Sequence, residues 1–451
     1  MTDTIVALAT PNSQSALGII RVSGNMVLEL CEKTCGIPCP TPRYAHLTKY
    51  TSLEQDTIDQ VILVYYEKGK SFTAESCMEF SCHGNPIILE EILNDLILRG
   101  CRMANPGEFA YRAFQNGKID LTQAEAVADL IGAKNKQALS LANKNLEGNL
   151  STKIGILQTS ILKQHSDIEA FIDFPEDDIG EEKTAHIIAN LEGICSELSY
   201  LIDIGKKTEA FKRNLKVVLV GPPNVGKSSI FNKIIGKDRA IIDQEPGTTR
   251  DFIDYNINLD QVTIHLYDTA GIRETDKEVE RQGIERTYQL IKDADLVLVV
   301  LDRSLPYPSI IDKEIKREIK DRKSIIVLNK SDLPNKIKIT CSYFNDLPTT
   351  EVSAKKDKTI LNLTDVIKNC LLKDSFIDNE FNLSVNLRQS NALIKSLVCI
   401  QKSIENIKSE ETIEFAIPDL KESISLLGEI VGNKDNEDML DLLFSNFCIG
   451  K

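Results

Sequence analysis

The chain has 451 residues, of which 42% are hydrophobic and 27% charged, and its formal net charge is −14. At roughly 100–200 residues per domain, this length predicts about three domains, and the composition is that of an ordinary globular protein. The excess of acidic residues argues against a protein that binds bare nucleic acid by itself, because neutralisation of phosphates dominates such binding. A local basic patch can still lie within that overall charge.

The start of the chain lacks the features of a targeting segment. It has an acid at Asp3 and neither the basic nor the long apolar stretch of a signal peptide. The longest apolar run, Leu296 to Leu301, suits a buried strand and is far shorter than the ~20 residues that span a bilayer. Eleven scattered cysteines fit a reducing compartment better than a disulfide framework. We expect a cytoplasmic protein with no membrane partner.

Changes of pattern along the chain predict a multidomain protein with α/β and all-α parts. A capping box at Thr122–Glu125 opens a long helical region, and helical patterning returns near the C-terminus. Between these regions strands and helices alternate, which predicts a mostly parallel sheet flanked by helices. We expect this α/β domain to be inserted in the helical one. The predicted bounds are 1–118 for an N-terminal α/β domain, 119–212 and 376–451 for the two parts of an all-α helical domain, and 213–375 for the inserted domain.

The inserted region contains a phosphate-binding loop. Gly221 to Ser228 matches G-x-x-x-x-G-K-[ST] between a predicted strand and a predicted helix. Backbone N–H groups of such a loop surround phosphates, Lys227 should contact the β- and γ-phosphates, and Ser228 should bind Mg²⁺. The loop residues that we expect to bind nucleotide are Asn224, Val225, Gly226, Lys227, Ser228 and Ser229.

Three further motifs complete a Ras-like G domain and select guanine. Asp268 begins a DTAG motif after an apolar strand, which places it at the metal and Gly271 beside the γ-phosphate. Asp332 can accept both hydrogens on the N1/N2 edge of guanine, an edge where adenine has no matching donors. The sequence therefore predicts a protein that binds GTP and GDP and hydrolyses GTP, an acid anhydride. The expected residues of these motifs are Asp268, Thr269, Ala270, Gly271, Asn329, Lys330, Ser331, Asp332, Ser353, Ala354 and Lys355.

The route of hydrolysis differs from that of Ras. Ile272 follows the DTAG motif where a glutamine would orient the attacking water, so the water must be positioned in another way. Thr249 lies in the expected first switch and can cover Mg²⁺, and Asn224 could help to hold a monovalent cation. Glu280 could orient water, although spacing alone favours a solvated helix charge.

Other candidate sites are weaker on the residues alone. Cys31, Cys35 and Cys39 miss the spacing of a cluster-binding motif, and the Cys82–His83 pair has no second pair nearby, so ordinary cysteines are the better interpretation. Cys448 would be reactive if the chain end were docked near a lysine, but a frayed tail is the simpler interpretation.

Taken together, the G-domain motifs, GTTRD, DTAGIRETDKEVER, the flanking helical regions and the terminal FCIGK resemble the MnmE (TrmE) family of bacterial tRNA-modification GTPases. TIVALATP, NPGEFAYRAF and NGKIDLTQAEAVADLI extend the resemblance over nearly the whole chain. The resemblance implies an N-terminal domain that binds 5,10-methylene-tetrahydrofolate, or its 5-formyl analogue, and forms a homodimer. With the FAD protein MnmG, such proteins add a carboxymethylaminomethyl-type group to C5 of the wobble uridine of certain tRNAs. Their GTP hydrolysis depends on potassium.

The resemblance also implies roles for individual residues. Glu280 matches the hydrolytic base and Cys448 the cysteine of the modification chemistry, which replaces the plainer interpretations above. Ser228 and Thr249 match the Mg²⁺ ligands. The positions that match folate contacts are Arg21, Glu79, Lys118 and Lys451, and those that match the potassium site are Asn224, Asp243, Glu245 and Thr248.

Some residues depart from the family pattern, and other functions stay open. Asp243 and Glu245 place two acids in the potassium loop, where the family often has neutral residues. Pro222 replaces a commonly basic residue and Asn85 a commonly found glycine. The main alternative is a ribosome-assembly GTPase of the Era or Der kind, which would carry a basic RNA-binding module. A purely structural GTP-binding scaffold is disfavoured by Glu280 and the intact switch motifs.

Overall fold

The chain folds into two compact units, each built from separate stretches of sequence. The first contains Met1–Ala128, Asn145–Cys195 and Lys395–Lys451, and the second contains Asp129–Lys144 and Ser196–Ile394. The computed structural model describes residues 3–173, 181–237, 253–259, 262–269, 287–306, 319, 322–337, 347–372, 381–433, 437–445, 447 and 450.

The chain contains the following described strands and helices, numbered in chain order. The strands are β1 (Ile5–Leu8), β2 (Leu17–Ser23), β3 (Ala45–Thr51), β4 (Thr57–Tyr66), β5 (Cys77–His83), β6 (Arg102–Met103), β7 (Leu215–Val220), β8 (Ile253–Leu259), β9 (Val262–Asp268), β10 (Leu296–Asp302), β11 (Ser324–Asn329) and β12 (Thr349–Glu351). The helices are α1 (Val27–Cys35), α2 (Pro86–Leu98), α3 (Glu108–Gln115), α4 (Leu121–Gly132), α5 (Lys136–Leu146), α6 (Asn149–Asp173), α7 (Glu181–Lys212), α8 (Lys227–Lys237), α9 (Asp357–Leu372), α10 (Leu387–Lys408), α11 (Ala416–Val431) and α12 (Glu437–Ser445). No helix within these described ranges is long and apolar enough to cross a membrane.

The first unit contains a sheet in the order β3-β4-β5-β2-β1-β6. Its neighbouring strands are antiparallel except β1 and β6, which pair in parallel. Helices α1 and α2 bury apolar side chains such as Leu30 and Ile92 against strand residues such as Phe80. The alternating burial of β4 leaves its other face partly exposed, as expected for an antiparallel sheet covered on one side.

The second unit contains the predicted mostly parallel sheet, in the order β12-β11-β10-β7-β9-β8. Only β8 runs antiparallel to its described neighbour, β9. Every residue of β10 and β11 is buried, which explains their continuous apolar sequences. One core includes Ile230 of α8 and Leu363 of α9, and another includes Ile291 and Ala294, so apolar packing covers both faces.

The capping box of α4 lies two residues before the predicted one, at Asp120 and Gln123, so the prediction of a box at Thr122–Glu125 is wrong. The Asp120 Oδ1 atom accepts from the Gln123 backbone N–H at 2.9 Å, and the Gln123 Oε1 atom accepts from the Asp120 N–H at 3.0 Å. Asp is at least as good an N-cap as Thr, and Gln closes the reciprocal pair. Thr122 donates its hydroxyl to Asp120 instead.

A buried arginine joins three segments of the first unit. Arg112 of α3 is 1% exposed. It bonds Asp3 at 2.9 Å, Glu75 at 3.1 Å and Glu108 at 2.9 Å. A second arginine, Arg102, donates to Asp3 and Glu108 as well, and its hydrogen bond to Asp3 lowers the pKa of that carboxyl. A buried guanidinium is stable only when its donors are matched, so these contacts fix the position of α3.

The other side of α3 packs against the end of the chain. Gly107, at the start of α3, has φ +68°, and a Cβ atom there would lie 2.6 Å from the Phe444 carbonyl oxygen and 2.9 Å from the Phe447 Cβ. Further along, a Cβ atom on Gly450 would lie 2.5 Å from the Leu8 carbonyl oxygen. The described tail residues are therefore docked on the first unit and not frayed.

We predict that Gly107→Ala releases the C-terminal segment. The added methyl group would collide with the backbone of α12, so the C-terminal segment must shift. The left-handed backbone of residue 107 adds a separate cost of about 1–2 kcal/mol. Hydrogen exchange across residues 437–451 should then be faster than in the wild-type protein.

Gly117→Ala is the matched control for this experiment. Gly117 has φ +66°, and a Cβ atom there meets nothing within 4 Å, so this variant carries the same backbone strain without the collision. Equal exchange of the C-terminal segment in the two variants would contradict the proposed contact.

Candidate functional site

Two glycines allow the phosphate loop between β7 and α8 to press against neighbouring strands. Gly221 has φ +150°, and a Cβ atom there would lie 2.2 Å from the Val300 carbonyl oxygen. Gly226 has φ +95°, and its Cβ atom would lie 2.3 Å from the Asn329 Nδ2 atom. Any side chain at either position would collide with β10 or with the end of β11. The loop therefore requires both glycines of the predicted motif.

Lys227 places a buried ammonium group inside the loop. Its side chain is 7% exposed, and Nζ donates to the carbonyl oxygens of Gly221 at 2.8 Å and Pro222 at 2.9 Å. Burial lowers the pKa of Lys227, and the nearby Asp268 carboxylate opposes that shift. A cation held in a loop of backbone N–H groups at a helix N-terminus is suited to binding phosphate.

Hard oxygen donors stand at the edge of the same loop. Ser228 lies exposed in the first turn of α8, and Asp268 ends β9 at 1% exposure. Thr269 donates its hydroxyl to the Leu219 carbonyl oxygen at 2.7 Å, which anchors the start of the DTAG motif to β7. Hydroxyl and carboxylate oxygens are the ligands that Mg²⁺ prefers, so Ser228 and Asp268 fit such an ion. The described residues contain no cluster of three or more His, Cys, Asp or Glu side chains that would hold a metal by themselves.

Asn329 joins the base-recognition motif to the phosphate loop. Its Nδ2 atom donates to the Val225 carbonyl oxygen at 2.7 Å. Within the described part of the chain its buried Oδ1 atom has no hydrogen-bond partner, which leaves a polar position for a bound ligand or water. Lys330, at φ +61°, bonds Asp302 and donates to the Asn224 carbonyl oxygen at 3.3 Å. This motif thus shapes the loop as well as the pocket.

The residues of the predicted base pocket lie where β11 and β12 end. The Ser353 hydroxyl donates to the Asp332 Oδ1 atom at 2.9 Å, and the Lys355 ammonium lies 3.4 Å from Oδ2. The hydrogen bond from Ser353, assisted by Lys355, lowers the pKa of Asp332, so the carboxylate is ionised at neutral pH. An ionised carboxylate can accept two hydrogen bonds from one edge of a guanine base.

The described residues of the predicted nucleotide site thus lie together at one end of the second unit's sheet. Other predicted site residues lie outside the described residues: Asp243, Glu245, Thr248, Thr249, Ala270, Gly271, Glu280, Cys448 and Lys451.

A second candidate site lies on the sheet of the first unit. Arg21 and Glu79 are cross-strand neighbours on β2 and β5, with Nε 2.7 Å from Oε1. The Arg21 Nη1 atom donates to the Gly450 carbonyl oxygen at 3.1 Å, and its guanidinium lies 5.8 Å from the centroid of the Phe109 ring. Both side chains of the ion pair remain 24% exposed, so a ligand can reach them. Lys118 makes a separate bond, 3.3 Å from its Nζ to the Gly69 carbonyl oxygen.

Sequence reasoning missed several residues that shape these sites. Asp302 holds Lys330, Phe109 lies beneath Arg21, and the Tyr66 hydroxyl donates to Glu79 at 3.4 Å. Tyr66 is two strand positions from the register partner of Glu79, Val64, so only a known strand pairing could have revealed it. Asp302 did carry a signal, since it ends the apolar run of β10 as Asp268 ends β9.

Two family models match the chain. The model for the "GTP-binding protein TrmE N-terminus" matches residues 4–118, and the model for the "MnmE helical domain" matches residues 121–448.

Curated relatives match along the full length. The tRNA modification GTPase MnmE of Aquifex aeolicus is 39% identical and covers 100% of both chains. That of Opitutus terrae is 37% identical and covers 100% of this chain and 99% of its own. Among solved structures, Era of Aquifex aeolicus bound to GDP and AlF4⁻ is 25% identical over 41% of this chain and 66% of its own, with a TM-score of 0.26. Because the MnmE family model covers most of the chain and the relatives cover all of it, this protein belongs to the MnmE family of tRNA modification GTPases.

Proposed function

We propose that this GTPase uses GTP hydrolysis to drive modification of the wobble uridine of certain tRNAs. The observation that supports this function best is the match, over the full length, to relatives named tRNA modification GTPases. A nucleotide site in the second unit and a charged site at the docked tail of the first unit are both consistent with it. We further propose the domain bounds 1–118, 119–212, 213–375 and 376–451, and a cytoplasmic location, where tRNA is available.

The chain's own residues supply most of what GTP hydrolysis requires. Lys227 contacts the β- and γ-phosphates, and Ser228, with Thr249 from the first switch, would hold Mg²⁺, which would neutralise charge on the phosphates. Asp332 and Ser353 orient guanine. Glu280 orients or deprotonates the attacking water, because Ile272 cannot.

The phosphate loop would hold a potassium ion, which would supply the positive charge that an arginine finger supplies elsewhere. Asn224 fits this role, since it stands exposed in the loop at φ +62° and its side chain carries an amide oxygen. Thr248 and the residues at Asp243 and Glu245 complete the proposed site.

Guanine selectivity should depend on Asp332. In Asp332→Asn the side chain no longer accepts two hydrogen bonds, so affinity for GTP should fall by about 10²-fold or more while affinity for xanthosine triphosphate rises. Competition binding of the two nucleotides measures the change. Asp293→Asn removes another exposed carboxylate of the same unit and should leave both affinities unchanged.

Replacing potassium with sodium should slow GTP turnover. A site whose ligands are spaced for potassium binds the smaller sodium ion poorly, so a preorganised charge near the developing negative charge is lost and kcat falls on the order of 10²-fold. Steady-state phosphate release at constant ionic strength measures this effect. Equal rates in the two salts would remove the cation from the mechanism.

The first unit is the proposed site of modification. Arg21, Glu79, Lys118 and Lys451 bind a tetrahydrofolate, whose charged and hydrogen-bonding groups suit the accessible Arg21–Glu79 pair. The folate supplies a one-carbon unit when bound. Cys448 precedes Gly450, whose carbonyl oxygen accepts a hydrogen bond from Arg21, and we propose that its thiol acts in the modification at this site. A homodimer acting with the FAD protein MnmG completes the proposed assembly.

Cys448→Ser should abolish wobble-uridine modification and leave GTP turnover close to the wild-type rate. Cys448 belongs to the first unit and the nucleotide site to the second. The substitution therefore removes a reactive group from the modification reaction and leaves the nucleotide site unchanged. Mass spectrometry of tRNA nucleosides, from a strain in which the variant replaces the wild-type gene, measures the modification.

Cys39→Ser is the matched control, because Cys39 is an exposed free cysteine of the same unit. A fully modified tRNA pool with Cys448→Ser would refute the role of the tail. An unmodified pool that persists with the wild-type gene would refute the proposed function itself.

A further inference from the structure

A basic surface interrupts the acidic chain in the first unit. Lys68 and Lys70 flank Gly69 in the loop between β4 and β5, and the Arg43 Nη2 atom donates to the Lys70 carbonyl oxygen at 3.0 Å. All three basic side chains are exposed. We name these three residues the basic loop surface. Lys118 lies at its border, where its ammonium group donates to Gly69.

The charge of this surface is only partly neutralised. Glu67 pairs with Lys70, and the two side chains are 39% and 66% exposed, so water screens that pair. Among the described residues, no carboxylate lies within ion-pair distance of Lys68 or Arg43. The chain as a whole carries −14, so its average field repels polyanions. A polyanion can approach only where the local charge is reversed, as it is here.

Exposed aromatic rings accompany these cations. Tyr44 follows Arg43 and is 60% exposed, and Phe72 lies two residues after Lys70 and is 38% exposed. The Tyr44 ring also packs edge-on against His46, with centroids 4.9 Å apart, which orients it. Exposed aromatic rings interleaved with cations are the groups that bind single-stranded nucleic acid, because bases stack on the rings while phosphates contact the cations.

The basic loop surface adjoins the second candidate site. Tyr66 ends β4 directly before the loop, and its hydroxyl donates to Glu79 at 3.4 Å. The Arg43 backbone N–H bonds the Tyr65 carbonyl oxygen at 2.8 Å, so this arginine is fixed to the same end of β4. Both Arg21 and Arg43 act electrostatically on Tyr66. An RNA held on the surface would present its unpaired bases beside Arg21 and the docked tail.

We propose that the basic loop surface binds the phosphate backbone of the tRNA anticodon loop, with Tyr44 and Phe72 stacking on its unpaired bases. This inference rests on the proposed function, because the anticodon loop contains the uridine to be modified. Proteins recognise RNA in this way at loops, where bases are unstacked and can be turned outward. The surface thus holds the substrate beside the modification site.

The variant Lys68→Ala/Lys70→Ala tests the proposal in the full chain. Both side chains are exposed, and the bond from Arg43 goes to a backbone oxygen, so the loop keeps its support. Binding of a fluorescently labelled anticodon stem–loop is measured by anisotropy across a salt series. Each lost phosphate contact should reduce the slope of log affinity against log salt by about 1, so the slope should fall by about 2 and affinity should fall with it.

The control is Lys33→Ala/Lys408→Ala, which removes the same charge from exposed ion pairs elsewhere in the first unit. It should retain the wild-type slope. Equal slopes for the two double variants would overturn the inference. A fall that is as large for fully base-paired RNA would also overturn it, because stacking on unpaired bases would then play no part. If the wild-type chain modifies no tRNA, the proposed function fails instead, whatever the slopes.

Discussion

Burial of the Arg112 guanidinium is the constraint on which the first unit depends. At 1% exposure water cannot solvate it, so removing any one of its acidic partners would leave buried N–H donors unmatched. Its partners come from the N-terminal residues, from the segment before β5 and from α3 itself. These three segments must therefore assemble around one cation. The position of α3 follows, and with it the position of everything that packs on α3.

The second candidate site is a consequence of that assembly. Helix α3 carries Phe109 beneath the Arg21 guanidinium, and the glycine that precedes α3 admits Phe444 and Phe447. The tail is thereby directed to Gly450, whose carbonyl oxygen Arg21 contacts. Arg21 thus connects the sheet, α3 and the chain end. The described tail residues are thus positioned by packing rather than by a flexible linker, which is how a preorganised site is built.

The two sites differ in how much of them the sequence reveals. At the nucleotide site, contiguous motifs supply the phosphate loop, the base pocket and the strands that precede them, and the described residues confirm the mostly parallel sheet. In the first unit, Arg112 forms a hydrogen bond with Asp3, 109 residues away in sequence, and Arg21 forms one with Gly450, 429 residues away. No local pattern encodes such pairings. The capping box failed for a related reason, since Asp120 and Thr122 are both good caps and only the packed helix shows which one is used.

The acidic charge of the chain is compatible with an RNA substrate and makes the binding selective. A protein with a uniformly basic surface would hold any RNA, because phosphate contacts carry no sequence information. With a net charge of −14, this chain repels RNA except where basic side chains cluster. Lys68 and Arg43 stand beside exposed Tyr44, so charge attracts the backbone and stacking requires unpaired bases. Selectivity for an RNA loop therefore arises because the basic loop surface attracts phosphates weakly while the rest of the acidic chain repels them. It requires no base-specific contact.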